Sequence, residues 1–419
     1  MIRRRGRRDD RTIGLVLPSL LLLAACKATP PTPPTPEITL LLSGQALIKK
    51  DPRVAWEDPF GSLRPIIEGA DVAFTNFEMA VAPPTKRCGL PQKYEVSLGH
   101  PELSEDERPG DVRNPHAVDA VVMEFLAGLG FDLMSLANNH SWDLGDCGIA
   151  ATKEAADGNG VVHAGTGPDL DSAGAPAYLT VDGVTFALVA ATTSHDRRDV
   201  IGHAVNGVWT GRQDDWDRNV EVVRLAAARA DFVIFYQHFQ IDTDEFDELG
   251  PGDSTEDGHV WVADVAGWQT RFARAVLDAG ASLYIGHGHR AFAGVEIYKG
   301  KPLIRQLGGL AYQGLSPNLG NYDEHRPWEG LLAELHIEAG RVTRIEFIPL
   351  DLDEGEAYRS EVDDLTFLSR RGLAQMAVGA QADSILTRFE ELSAAYGSEL
   401  HLEGGRAVLT LEPEPHSDP

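Results

Sequence analysis

Four short segments of this 419-residue chain carry side chains suited to holding a metal ion and moving a proton. They are Glu78 in Thr75-Asn76-Phe77-Glu78, Asn139 and His140 in Ala137-Asn138-Asn139-His140, His238 in Tyr236-Gln237-His238, and His287 and His289 in Gly286-His287-Gly288-His289. Imidazole nitrogen, carboxylate oxygen and amide oxygen all ligate divalent transition ions when the fold brings them together without strain. His287 and His289 stand two residues apart, and Gly288 between them permits the tight turn that would let both reach a pair of metal positions. His238, Glu78 and Asn139 would complete the shell. A lone histidine is more often a solvated or hydrogen-bonded residue than a ligand. What sets these residues apart is a shared position, each group directly following an apolar, β-rich run.

Those runs predict the elements that must position the site. Segments 38–42, 72–74, 133–136, 185–190, 232–235 and 282–285 read as buried strands, and 116–129, 148–159, 216–229 and 265–279 as helices. The alternation is that of a sheet covered by helices, in which loops at the carboxyl ends of strands carry function. Four strands would thus deliver Glu78, Asn139, His238 and the histidine pair to one edge of the sheet. Beyond residue 350 an acidic stretch precedes a helix at 380–395 and a hairpin turned at Gly404-Gly405.

The amino terminus reads as an export signal. Six arginines precede an apolar run at 13–25 that is too short to span a bilayer and is interrupted by Pro18. Leu23-Ala24-Ala25-Cys26 resembles a bacterial lipobox, which would make Cys26 a lipidated N-terminus. Arg7-Arg8 offers a weaker alternative, a twin-arginine signal, against which Asp9 and Asp10 count. Five prolines between Lys27 and Glu37 favour an extended tether of about 30 Å. The expected organisation is a signal peptide at 1–25, a Pro-rich tether at 26–37, a main domain at 38–350 and a C-terminal extension at 351–419. An oxidising compartment permits Cys88 and Cys147 to pair; two separate buried thiols are the equal alternative. The formal charge of -27 repels nucleic acid and anionic lipid at long range, so a nucleic-acid partner is not expected.

The motifs resemble those of the CapA family of capsule synthesis proteins. Asn76-Phe77-Glu78, Asn138-Asn139-His140 with Asp143 and Gly145, His163-Ala164-Gly165-Thr166-Gly167, His238, Gly286-His287-Gly288-His289 and Gly294-Val295-Glu296-Ile297-Tyr298 follow that family's order. The family is similar to calcineurin-like metallophosphoesterases. The resemblance therefore implies an α/β fold, a four-layer α/β/β/α metallophosphoesterase-like sandwich, here with a small C-terminal extension. It also implies a two-metal site, in which Glu78 would bridge the ions while Asn139, His238 and His287 complete one of them. His289 would serve the other ion, and His140 would act as general acid or orient the leaving group.

Three places depart from the family pattern, the third being Gln306-Leu307-Gly308-Gly309-Leu310 where Ser-Leu-Gly-Asn-Phe is usual. Gln45 stands where a carboxylate ligand is usual, and Gly288 where the family often has proline. Gln45 is thus a weakened ligand position, and the expectation is one well-supplied site for a divalent transition metal of the Mn, Fe or Zn class beside a doubtful second one. Asp143, Asp146 and Asp196 read as supporting or turn residues rather than ligands. The export signal and lipobox imply an envelope protein on the periplasmic or extracellular face, partnered by the membrane through its lipid, and the resemblance implies a role in capsule or poly-γ-glutamate production, with a cell-surface polymer or its phosphorylated carrier and a membrane synthesis complex as partners. It would be either a metal-dependent hydrolase or a non-catalytic polymer-binding or scaffold component. A solute-binding protein fits the anchor and the acidity but not the histidines.

Overall fold

Side chains along a strand point alternately to its two faces, and that alternation sorts the apolar residues of this protein into layers. The computed structural model describes residues 37–83, 116–194, 203–209, 212–240, 265–289, 291–313, 328–352 and 369–411. In chain order the strands are β1 (Glu37–Leu47), β2 (Val72–Phe77), β3 (Ala80–Val81), β4 (Ala117–Val118), β5 (Leu133–Ser135) and β6 (Val162–Ala164). There follow β7 (Ala177–Val181), β8 (Val184–Ser194), β9 (Phe232–Gln240), β10 (Leu283–His287), β11 (Val295–Tyr298) and β12 (Lys301–Ile304). The last are β13 (Gly309–Tyr312), β14 (Glu329–Glu338), β15 (Arg341–Leu352), β16 (Ala374–Met376), β17 (His401–Glu403) and β18 (Arg406–Thr410).

The strands form two large sheets. The 10-stranded sheet runs β17-β18-β15-β14-β1-β2-β5-β6, with β13 added to β1 and β16 to β15. The 6-stranded sheet runs β11-β12-β10-β9-β8-β7, and β3 pairs with β4 separately. Within the larger sheet β1, β2, β5 and β6 are parallel; within the smaller one β8, β9, β10 and β12 are parallel. Each sheet therefore presents a row of strand carboxyl ends.

The two sheets face one another. Leu40, Leu42 and Phe74 of the larger sheet share a core with Leu188, Ile234 and Ile285 of the smaller. The residues between them point outward: Leu41 and Ala73 pack under the helix Ala120–Gly128, while Val233 and Phe235 pack under the helices Gln213–Ala227 and Val265–Ala279. The result is the four-layer α/β/β/α sandwich. The expected strand sites are therefore divided between two facing sheets, β2 and β5 on one and β9 and β10 on the other, rather than gathered on one sheet edge.

Several elements extend past their sequence-based limits. The strands predicted at 232–235 and 282–285 continue to Gln240 and His287, because the polar residues keep their ladder partners: Gln237 pairs with Gly286 and His238 with His287. The helix predicted from residue 116 starts only at Ala120, leaving His116 ahead of β4. Strands β14 and β15 were not among the sequence-based expectations, yet their long antiparallel pairing lies in the middle of the larger sheet.

The C-terminal residues are built into the same framework. β18 extends the larger sheet by pairing with β15, and the helix Gly379–Ala394 buries Ile385, Leu386 and Phe389 in the inter-sheet core. Phe389 lies 4.5 Å from Phe347 between ring centroids and is fully buried. Truncating it leaves a cavity at this junction, so Phe389→Ala should cost about 3–5 kcal/mol. Urea unfolding should show the whole sandwich shifting in one transition; a separate early transition of the C-terminal segment alone would contradict this integration.

Candidate metal centre

The strand ends converge because their side-chain phase is set far upstream. In β9, Phe232, Ile234 and Tyr236 point between the sheets, and two residues further on His238 must do the same. In β10, Leu283 and Ile285 set the same phase for His287. The two histidines are register partners on adjacent strands, and both are fully buried. From the facing sheet, Glu78 follows β2 and is held by its own amide, which donates to the Ala46 carbonyl at 3.1 Å. One Glu78 carboxylate oxygen lies 4.0 Å from His238 Nε2.

Burial governs the charge state of this pair. Desolvation pushes His287 down to about 3 from an ordinary 6.5. Desolvation also takes His238 to about 3, offset in part by the neighbouring Gln240 side chain and reinforced by His140, His287 and His289. Both rings are therefore neutral at physiological pH, the form in which imidazole ligates a metal. Among the described residues, neither nitrogen of His287 nor the amide oxygen of buried Asn139 has a hydrogen-bond partner, and neither nitrogen of His238 makes a well-formed hydrogen bond, Gln240 being a weak neighbour only. Unsatisfied polar atoms at this depth are costly, and a bound cation is one group that would satisfy them.

The Asn138-Asn139-His140 segment divides its labour. Asn138 is structural: its amide nitrogen donates to the Phe77 carbonyl at 2.8 Å and to Asn76 Oδ1 at 3.3 Å, and its amide oxygen accepts the His140 N–H at 3.0 Å. The Ser141 hydroxyl accepts from the Asn138 N–H at 2.9 Å and donates to the Leu136 carbonyl at 2.5 Å, closing the turn. This ties the end of β5 to the end of β2. Asn139 is left with its oxygen uncommitted, and His140 stays partly exposed.

His140 is held through Asp143, whose Oδ2 lies 2.8 Å from His140 Nδ1. The same oxygen accepts the His116 N–H at 2.7 Å, and the His116 ring stacks on that of His140 with centroids 3.4 Å apart. The neighbouring Lys49 is buried; desolvation pushes it down to about 7 against the pull of Asp143 and Glu78. His116 and Lys49 were not singled out from sequence. A histidine read as the start of a helix and a lysine four residues past Gln45 carry no motif, and only the fold brings them here.

Of the expected site residues, Glu78, His140, His238, His287 and His289 form one electrostatic neighbourhood, with His289 half-buried. Asn139 lies in the loop beside them. Gln45 is buried, and its amide oxygen accepts the Gly288 N–H at 3.2 Å. Asp146 accepts from the Trp142 indole at 2.8 Å, a local turn contact. Among the described residues, no group of three or more histidine, cysteine, aspartate or glutamate side chains is arranged to hold a metal ion as it stands. Cys147 is disulfide-bonded. Cys26, Cys88 and Asp196, with the signal and the tether up to residue 36, lie outside the described residues, whereas Glu37, expected in the tether, opens β1.

A four-layer sandwich whose strand ends bury neutral histidines opposite a carboxylate and an uncommitted amide defines a class of α/β protein with a candidate metal centre. The bacterial capsule synthesis protein family PGA_cap matches residues 39–313, and the chain belongs to that family. It is 24% identical to an uncharacterised protein of Sinorhizobium fredii over 89% of this chain and 93% of that one. It is 21% identical to the capsule biosynthesis protein CapA of Bacillus anthracis, covering 84% of this chain and 79% of the relative. The PGA biosynthesis protein CapA of Bacillus subtilis is 24% identical over 58% of this chain and 57% of its own length.

The two buried rings make stability depend on pH. In the folded protein they take up protons only near pH 3, whereas unfolded they do so near 6.5, so the unfolded chain holds more protons between those values. Stability present above pH 6.5 should therefore fall as pH drops toward 3, by up to about 1.4 kcal/mol per pH unit for each ring. Urea titrations of metal-stripped protein at pH 7, 6 and 5 measure the slope, and His287→Asn should flatten it. A wild-type stability unchanged from pH 7 to 5 would contradict buried neutral rings.

Proposed function

We propose that this protein is an exported, lipid-anchored accessory protein of capsule or poly-γ-glutamate synthesis, with a metal-dependent hydrolase-like site at its strand ends. One observation carries the site assignment: His238, His287 and Asn139 present buried ligand atoms without a well-formed hydrogen bond among the described residues, beside the Glu78 carboxylate. Two neutral imidazoles, an amide oxygen and a carboxylate suit a divalent ion of the Mn, Fe or Zn class. Such an ion, when bound, polarises a phosphoryl or carbonyl oxygen and lowers the pKa of water.

The chain's own residues supply the rest. Asp143 fixes the His140 ring, whose partial exposure lets its other nitrogen exchange a proton with a substrate. Membership of a capsule synthesis family, with relatives named for capsule and PGA biosynthesis, supports a cell-surface polymer or its phosphorylated carrier as the substrate class. A local cation would offset the repulsion between an anionic polymer and a protein of charge -27. Among the described residues no helix is long and apolar enough to cross a membrane, and Cys26 is the proposed attachment point.

A second reading is a non-catalytic polymer-binding or scaffold component of a membrane synthesis complex. It is favoured by the neutral Gln45 and by the absence, among the described residues, of a closed group of charged or histidine ligands.

Metal analysis of full-length protein purified without added metal tests the first reading: about one ion per chain is expected, with His238→Ala and Asn139→Ala each binding at least tenfold more weakly. His140→Asn should retain the ion and lose about 10²- to 10⁴-fold in turnover of a phosphodiester substrate. Metal-loaded wild type inert toward phosphodiesters and polyglutamate would favour the scaffold. For the anchor, Cys26→Ala should move the protein from the membrane fraction to the soluble fraction of cells; retention in the membrane would argue against lipidation.

A further inference from the structure

We propose that Gln45 is a positioning residue that clamps the turn between His287 and His289, and that it contributes no ligand to a metal. Three features of the structure converge on this. The Gln45 side chain is buried, and its Oε1 accepts the Gly288 N–H at 3.2 Å. Gly288 adopts φ +129°, and a Cβ there would lie 2.2 Å from the Phe239 carbonyl oxygen. The turn therefore accepts only glycine and presses directly on β9 one residue beyond His238. Gln45 itself is fixed from behind: its N–H donates to the Gly308 carbonyl at 3.2 Å, and it pairs with Asn76 in β2 and Gly309 in β13.

The ladder shifts register between Leu42 and Gln45, and a shift of this kind re-aims the side chains that follow it. Here the re-aimed side chain crosses from the larger sheet to the end of β10 in the smaller one. The hydrogen bond joins the two sheets at the point where His287 leaves its strand. A backbone N–H at this depth needs an acceptor, and among the described residues Gln45 provides it. By holding the Gly288 N–H, Gln45 sets the turn from which His287 and His289 project, and its oxygen faces that turn. The ion proposed above would then be a single one, held on the side of Asn139, His238 and His287.

This rests on the metal-site reading for its consequence, but the clamp itself can be measured without metal. In EDTA-treated full-length protein, hydrogen exchange at the Gly288 amide should be slow in the wild type and at least tenfold faster in Gln45→Leu. Gln45→Glu, which keeps an oxygen at the same reach, should restore the slow exchange. In a Zn²⁺ titration, the wild type should bind one ion with Gly288 still protected, and Gln45→Leu should bind one ion roughly 10- to 100-fold more weakly, the usual range for a residue that orients a ligand. Unchanged Gly288 exchange in Gln45→Leu would overturn the clamp. Loss of Gly288 protection when Zn²⁺ is added, or a fall from two ions to one in Gln45→Leu, would make Gln45 a ligand and overturn the proposal. If no variant binds Zn²⁺, the metal reading fails, and the metal-free exchange still decides the clamp.

Discussion

Two fully buried imidazoles, with no well-formed hydrogen bond to any described residue, are a costly feature for a fold to keep, and much of the surrounding structure holds them in place. Desolvation keeps His238 and His287 neutral, and the strand phase established by Phe232, Ile234, Leu283 and Ile285 points them between the sheets. Such a cost is sustained only where the surrounding core over-determines the geometry. Here it does so from both sides. The inter-sheet core fixes the phase of β9 and β10, and the outward residues Val233, Phe235 and Tyr284 anchor the same strands beneath two helices.

The opposite wall of the site is made differently. Glu78 and Asn139 come from the larger sheet, and they are placed by polar contacts rather than by apolar phase alone. The Ala46 carbonyl holds the Glu78 amide, and the Asn138 side chain bridges the ends of β2 and β5. Two adjacent asparagines thus have unlike roles that the sequence does not distinguish. One is consumed in joining strands, the other left with its oxygen available.

Much of the candidate site was legible because apolar runs end abruptly in polar residues, and this pattern survives without any knowledge of tertiary structure. The histidines of β9 and β10 were found on that basis, although they proved to belong to the strands and not to the loops after them. Periodicity could not show that the four strand ends lie on two facing sheets. Nor could it show the pairing of β14 with β15, whose residues alternate between the inter-sheet core and the outer layer. His116 and Lys49 carry no signal in the sequence for a different reason. Their positions come from contacts across long stretches of chain, in particular Asp143 reaching back to the His116 amide. The departures at Gln45 and Gly288 were visible as departures; only the hydrogen bond between them shows that they belong together.

The backbone of His116 is gripped at both ends: its N–H by Asp143 and its carbonyl by the Ala80 N–H at 2.8 Å, with β3 and β4 pairing immediately beyond. The chain therefore leaves the neighbourhood of Glu78 and returns beside His140 through two fixed points. Between such anchors, the cost of closing a longer or shorter connection varies only slowly with its length. The connection between residues 83 and 116 therefore meets the same two attachment points whatever its length, and Glu78 and His140 keep their places on either side of it.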